Sequence, residues 1–200
     1  MLRIVVPSLV AASLVWTVPA AAQFSESFKF LESVRKKEGQ EVTDELAKGG
    51  PNLINTRDTT TGESALHIVT ARRDATWMQF LIGKGANVNS RDNKGQTPLV
   101  IASNYGFAEG VDLLVTYGAK VDDSNNAGET PLITAVHNRN VALVRILLKA
   151  GASATRADNS GRSALDYAEM NGKDAIYTEL DNSRKAKTAT SAKPTYGPSF

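Results

Sequence analysis

The stretch GETPLITAVHNRNVALVRILLKAGASATRADNS, residues 128–160, decides the fold. Its opening Gly128 suits a turn that needs positive φ. Thr130 carries the hydroxyl of a helix N-cap, and Pro131 takes the first helical position, where a missing N–H costs nothing. Leu132 and Ala135 give this short helix an apolar face with a small residue on it, so that a neighbour can approach closely. A second helix follows, with Leu143, Val144, Leu147 and Leu148 at helical spacing. Gly151 stops it.

Outward from this unit the pattern recurs every 33 residues, at Gly62, Gly95, Gly128 and Gly161. The N-cap position holds Ser64, Thr97, Thr130 and Ser163, and Pro98 repeats the role of Pro131. Leu66, Leu99, Leu132 and Leu165 occupy one register position; Ala102, Ala135 and Ala168 occupy another. The stops Gly85, Gly118 and Gly151 keep the same period. A strict period of this length is the mark of a repeat architecture.

These segments resemble the ankyrin repeat family. Most specific are GQTPLVIA at 95–102, GETPLITA at 128–135 and LLKAGA at 147–152. The resemblance covers about residues 27–182 and implies an all-α solenoid of stacked helix pairs with projecting β-turn loops. No unit of such a stack buries its own apolar face; neighbours share one core. The expected division is a degenerate first repeat at 27–58, repeats at 59–91, 92–124 and 125–157, and a capping repeat at 158–183. One residue is inserted after the first repeat, in Thr59-Thr60-Thr61. The last unit's second helix is expected over 174–181, facing solvent at Asp181, where the others have Ile82, Val115 and Leu148. Gly110 falls inside a second helix, where glycine costs about 1 kcal/mol relative to alanine, which marks that unit as the softer one.

The termini read differently. Residues 1–22, MLRIVVPSLVAASLVWTVPAAA, combine Arg3, an apolar run from Ile4 to Val18 and an A-x-A site at Ala20 and Ala22. This is the pattern of a cleaved signal peptide, so export to a bacterial periplasm or secretion is expected, with a mature chain starting at Gln23 and no membrane span left after cleavage. Residues 184–200, with Arg184, Lys185, Lys187 and Lys193 and no acid, are expected to be a disordered basic tail. Between these ends, residues 23–183 carry a net charge of −3, which argues against a nucleic-acid surface. The chain has no cysteine, which excludes disulfides, thiolate metal sites and a cysteine nucleophile.

No catalytic constellation emerges. Neither a phosphate-binding loop nor a dinucleotide fingerprint is present. Asp92 and Asp158 occupy equivalent turn positions, where a short acid stabilises the loop. The resemblance gives His67 a structural task, holding loop backbone; the equivalent positions carry Val100, Ile133 and Asp166. His137 lies two repeats away, about 16–20 Å at the usual spacing of packed helices, too far to share a metal ion with His67. No enzyme activity and no cofactor are expected.

By the same resemblance, a partner meets the loop tips and the ends of the inner helices. The tips are Arg91, Asn93, Lys94, Gln96, Ser124, Asn126, Glu129, Asn159 and Arg162. The helix ends are Arg72, Arg73, Asn104, Tyr105, His137, Asn138, Arg139 and Asn171. Tyr105, between Asn104 and Gly106, has the makeup of an interface anchor. The expected function is that of an exported, monomeric module binding a folded protein or peptide. The rival expectation is an envelope structural protein tethered by its basic tail, with an enzyme a remote third.

Overall fold

In a computed structural model, which describes residues 26–191, the glycines and caps lie where the period puts them. Gly128 has φ 81° and Gly151 φ 96°, both in the left-handed region. Thr97 accepts from the Val100 N–H at 3.3 Å, Thr130 from Ile133 at 3.2 Å and Ser163 from Asp166 at 3.3 Å. The result among the described residues is ten helices: α1 Glu26–Lys36, α2 Gly39–Lys48, α3 Ala65–Ala71, α4 Ala75–Gly83, α5 Pro98–Asn104, α6 Ala108–Thr116, α7 Pro131–His137, α8 Val141–Lys149, α9 Ala164–Met170 and α10 Ala175–Ser191. A 3-10 turn, Leu53–Asn55, precedes the first repeat loop. Strand-like pairing in this region is limited to the isolated bridges Arg57–Ser64 and Ala157–Ser163 at loop bases.

The odd-numbered helices form an inner row and the even-numbered ones an outer row. Each inner helix packs on the next, α1 on α3 through to α9, and α4, α6, α8 and α10 pack in sequence outside. One core runs through the stack. Leu66, Leu99 and Leu132 are buried along it, and Ala102, Ala135 and Ala168 are buried where inner helices approach. Each buried leucine contributes about 1.5–3 kcal/mol, although none could be buried by one unit alone. The degenerate first unit is a helix pair, with Phe30, Leu31, Val34 and Val42 buried. No helix among the described residues is long and apolar enough to cross a membrane. The expected leader, 1–22, and residues 192–200 lie outside the described residues.

Two expectations need correction. The basic tail is not disordered from Arg184: α10 continues without a break to Ser191. Asp181 does not face open solvent either, being 14% exposed and paired with Arg184 at 2.6 Å and Lys185 at 2.7 Å, one turn along. Lys187 then reaches the Gly151 and Ala152 carbonyls, each at 2.9 Å. The physical reason lies two units back. Asn55 donates to the Gly85 carbonyl at 3.2 Å and Asn89 to the Gly118 carbonyl at 3.2 Å. The next such position holds Asp122, whose carboxylate has no N–H to give, and Lys187 satisfies Gly151 instead.

Gly110 also proves to be more than a weak point in α6. It is buried, and a Cβ there would overlap the ring of Phe107. Glycine makes room for a side chain that packs back onto its own helix.

Candidate partner-binding surface

The projecting loops are built locally and then stitched to one another. Asp92 accepts the Lys94 N–H at 2.8 Å and the Gln96 N–H at 2.7 Å, closing the loop on a single carboxylate oxygen. Asn125 does the same for Ala127 and Glu129, and Asp158 for Ser160 and Arg162. Asp58 closes the first loop and also pairs with Arg35 at 2.8 Å; backbone N–H groups and that guanidinium hold its pKa down to about 2. His67, fully buried, ties this edge to the helices. Its Nδ1 accepts the Ser64 N–H at 3.1 Å, which leaves Nε2–H to donate to the Gln96 carbonyl at 3.0 Å. Burial pushes its pKa down, so the ring is neutral.

Three residues expected to touch a partner also form a ladder between the loops. Asn93 donates to the Thr60 carbonyl at 2.9 Å, Asn126 to the Asn93 carbonyl at 3.2 Å, and Asn159 to the Asn126 carbonyl at 2.9 Å. Neighbouring loops come so close that a Cβ on Gly128 would lie 2.6 Å from the Asn159 nitrogen. Arg91 is likewise occupied, on the Gly95 and Ser124 carbonyls and on Asp123 at 3.2 Å. Ser124 takes part through its backbone.

The inner-helix ends divide the same way. Arg72 donates to the Val34 carbonyl at 2.8 Å, pairs with Asp74 at 3.4 Å and lies over the Trp77 ring, fastening the first unit to the second. Asn138 donates to the Ser103 and Asn104 carbonyls. Arg139 pairs with Asp174 at 3.1 Å, and Glu129 meets His137 at 3.3 Å, with the Tyr167 ring edge-on to that histidine. Arg73 lies over the Phe107 ring, 5.9 Å from its centre. Arg162 and Asn171 are exposed near the far end of the row.

Part of the expected set, Asn93 included, meets in one place. Lys94, Gln96, Asn104 and Tyr105 line a concavity of about 480 Å³, together with Thr60, Thr61, Glu63, Ala71 and Ile101. Tyr105 is 54% exposed. In the units on either side, the residue at its position, Arg72 or Asn138, reaches back to the preceding helix; tyrosine has no donor that does so here. Sequence reasoning missed Met170, which is 67% exposed in the register position of Asn104 and His137. The 33-residue alignment carries the signal, since Met170 falls 33 residues after His137 and beside Asn171.

The comparisons with known proteins agree with this architecture. A family model described as ankyrin repeats (3 copies) matches residues 30–125, and one described as ankyrin repeats (many copies) matches residues 114–168. The chain belongs to the ankyrin repeat family. Ankyrin repeats are generally protein–protein interaction modules and typically non-catalytic. Among the described residues of this ankyrin stack, no group of three or more histidines and carboxylates could hold a metal ion.

Proposed function

We propose that this chain is an exported, monomeric interaction module that takes a segment of a folded protein, or a peptide, in its concave face at Tyr105. The observation that carries the reading is the exposure of Tyr105 over the concavity at a position its neighbours use for stitching. A large exposed ring rimmed by Lys94, Gln96 and Asn104 has the form of an interface anchor. Export rests on the n-region, apolar run and A-x-A site of residues 1–22, and a mature protein recovered from the exported fraction should begin at Gln23.

The tethering alternative is not favoured. Arg184 and Lys185 share the Asp181 carboxylate and Lys187 is turned back onto the Gly151 and Ala152 carbonyls, so these side chains serve the end of the stack before any wall polymer.

The test pairs Tyr105→Ala with Lys94→Glu. Both side chains are exposed, and melting should move by no more than about 0.5 kcal/mol. Capture of a partner from the exported fraction should be lost. Undiminished capture would place the binding surface elsewhere.

A further inference from the structure

The repeat loops close on the same kind of residue and differ in what becomes of its second head-group atom. Asp58 gives Oδ1 to the Thr60 and Thr61 N–H groups, and its Oδ2 accepts from the Arg35 guanidinium at 2.8 Å. Asn125 gives Oδ1 to Ala127 and Glu129, and its Nδ2–H donates to the Glu129 carboxylate at 3.0 Å. Asp158 gives Oδ1 to Ser160 and Arg162, and its Oδ2 accepts the Tyr167 O–H at 2.7 Å. Asp92 gives Oδ1 to Lys94 and Gln96 in the same way, but its Oδ2 has no hydrogen-bond or ion-pair partner among the described residues. Asp92 is nevertheless only 9% exposed, and it lines the concavity that Tyr105 lines. A carboxylate so far withdrawn from water is costly unless it is paired.

The charges in the lining favour a cation. Glu63 is a second carboxylate there; it accepts the Thr61 hydroxyl and has no ion pair among the described residues. Lys94 is exposed at the rim, where water and salt screen it. Arg91 is spent on Asp123 and on the Gly95 and Ser124 carbonyls. His67 is neutral, and its Nε2–H goes to the Gln96 carbonyl.

Resting on the reading of the concave face given above, we propose that the group this site takes is an arginine side chain of the partner, with its guanidinium on the free oxygen of Asp92 and its plane against the Tyr105 ring. The molecule contains the same contact one loop earlier, where Arg35 sits on the matching oxygen of Asp58. A guanidinium is planar and weakly hydrated, so it can donate to a carboxylate and lie on an aromatic face at once; an ammonium is a compact, strongly hydrated charge. The amide oxygens of Gln96 and Asn104, in the same lining, can accept the remaining N–H groups. A phosphate or a second acid would meet the two carboxylates unfavourably. Lys94 stays available at the rim for a separate contact.

The test titrates the tripeptide acetyl-Gly-Arg-Gly-amide into the isotope-labelled full-length protein and follows it by NMR. The backbone amides of Lys94 and Gln96, which donate to Asp92, are the reporters. One control peptide carries citrulline, which keeps the shape and loses the charge; another carries lysine. The arginine peptide should bind about tenfold or more tightly than the citrulline peptide, with lysine between them. Asp92→Asn should remove that preference with little change in melting, because Asn125 closes its own loop as an asparagine. Failure of the arginine peptide to shift the reporters, equal affinity for citrulline, or a preference that survives Asp92→Asn would each overturn the proposal. Capture of a partner from the exported fraction separates this proposal from the wider reading. Capture lost on Tyr105→Ala but kept by Asp92→Asn would overturn the arginine assignment and leave the surface standing; capture kept by both would remove the surface as well.

Discussion

Counting the 33-residue repeats from residue 59, at the joint between its two helices the third unit (125–157) places Asn140 ahead of Leu143, and the second unit (92–124) places Phe107 ahead of Gly110, each 33 residues earlier. Asn140 caps α8, accepting the Leu143 N–H at 3.1 Å, and the Leu143 side chain fills the core. Phe107 cannot cap; its ring is buried over Gly110, in the place where the third unit has a leucine. Losing the cap costs about 1 kcal/mol. Glycine within a helix costs about another 1 kcal/mol. Burying a phenylalanine contributes about 1.5–3 kcal/mol, comparable to both together. Glu109 in the first turn of α6 adds a favourable charge at the uncapped end. The two joints are therefore alternative solutions in one frame, and residues that each look unfavourable alone are compatible as a pair.

The largest effect should come from Phe107→Ala, which removes the ring and leaves Gly110 facing a void. A loss of about 3–5 kcal/mol is expected in chemical denaturation. A loss under about 1 kcal/mol would mean that the ring does not fill the joint.

Next comes Gly110→Ala. Helix propensity alone predicts a gain, but the clash with Phe107 should turn it into a loss of about 1–3 kcal/mol. Transplanting the third unit's pair, Phe107→Asn with Gly110→Leu, should recover most of that stability. A double variant no better than Phe107→Ala would show that the two joints are not interchangeable.

The smallest effect is a pH dependence that the first repeat has and the next two lack, since His67 is replaced there by Val100 and Ile133. Burial lowers the folded pKa of His67 below its unfolded value of about 6.5. The unfolded chain thus binds the extra proton first, and stability is complete above about pH 6.5 and falls as pH drops below it. Asp58 acts in a lower window. Its folded pKa of about 2 lies below the unfolded value, so its contribution persists until pH falls below about 4. Melting followed from pH 7.5 to about 4.5 should decline in the native protein and flatten in His67→Val. An equal decline in both would assign the effect to other groups.

The repeat frame was legible in the residues themselves. Gly128, Thr130 and Pro131 each act through their own backbone or within one turn, and the structure has them in those roles. The candidate surface was legible only in part. Tyr105 was exposed as expected, but Arg72, Arg91, Asn93, Asn126, Asn138 and Asn159 serve the stack. An exposed asparagine or arginine has the same appearance in a sequence whether it waits for a partner or donates to the adjacent loop. Its role depends on a carbonyl about 33 residues away and on a separation of about 3 Å, which no local pattern encodes.

By itself the sequence determined the period, the helix starts and stops, and the apolar seam, because caps, positive-φ turns and helical spacing are short-range properties of the chain. Only the tertiary structure decided which polar groups were already satisfied, why α10 runs on to Ser191, and that Asp92 brings an unpaired carboxylate oxygen to the concavity of Tyr105. Those outcomes depend on distances between neighbouring units, which are settled when the units stack.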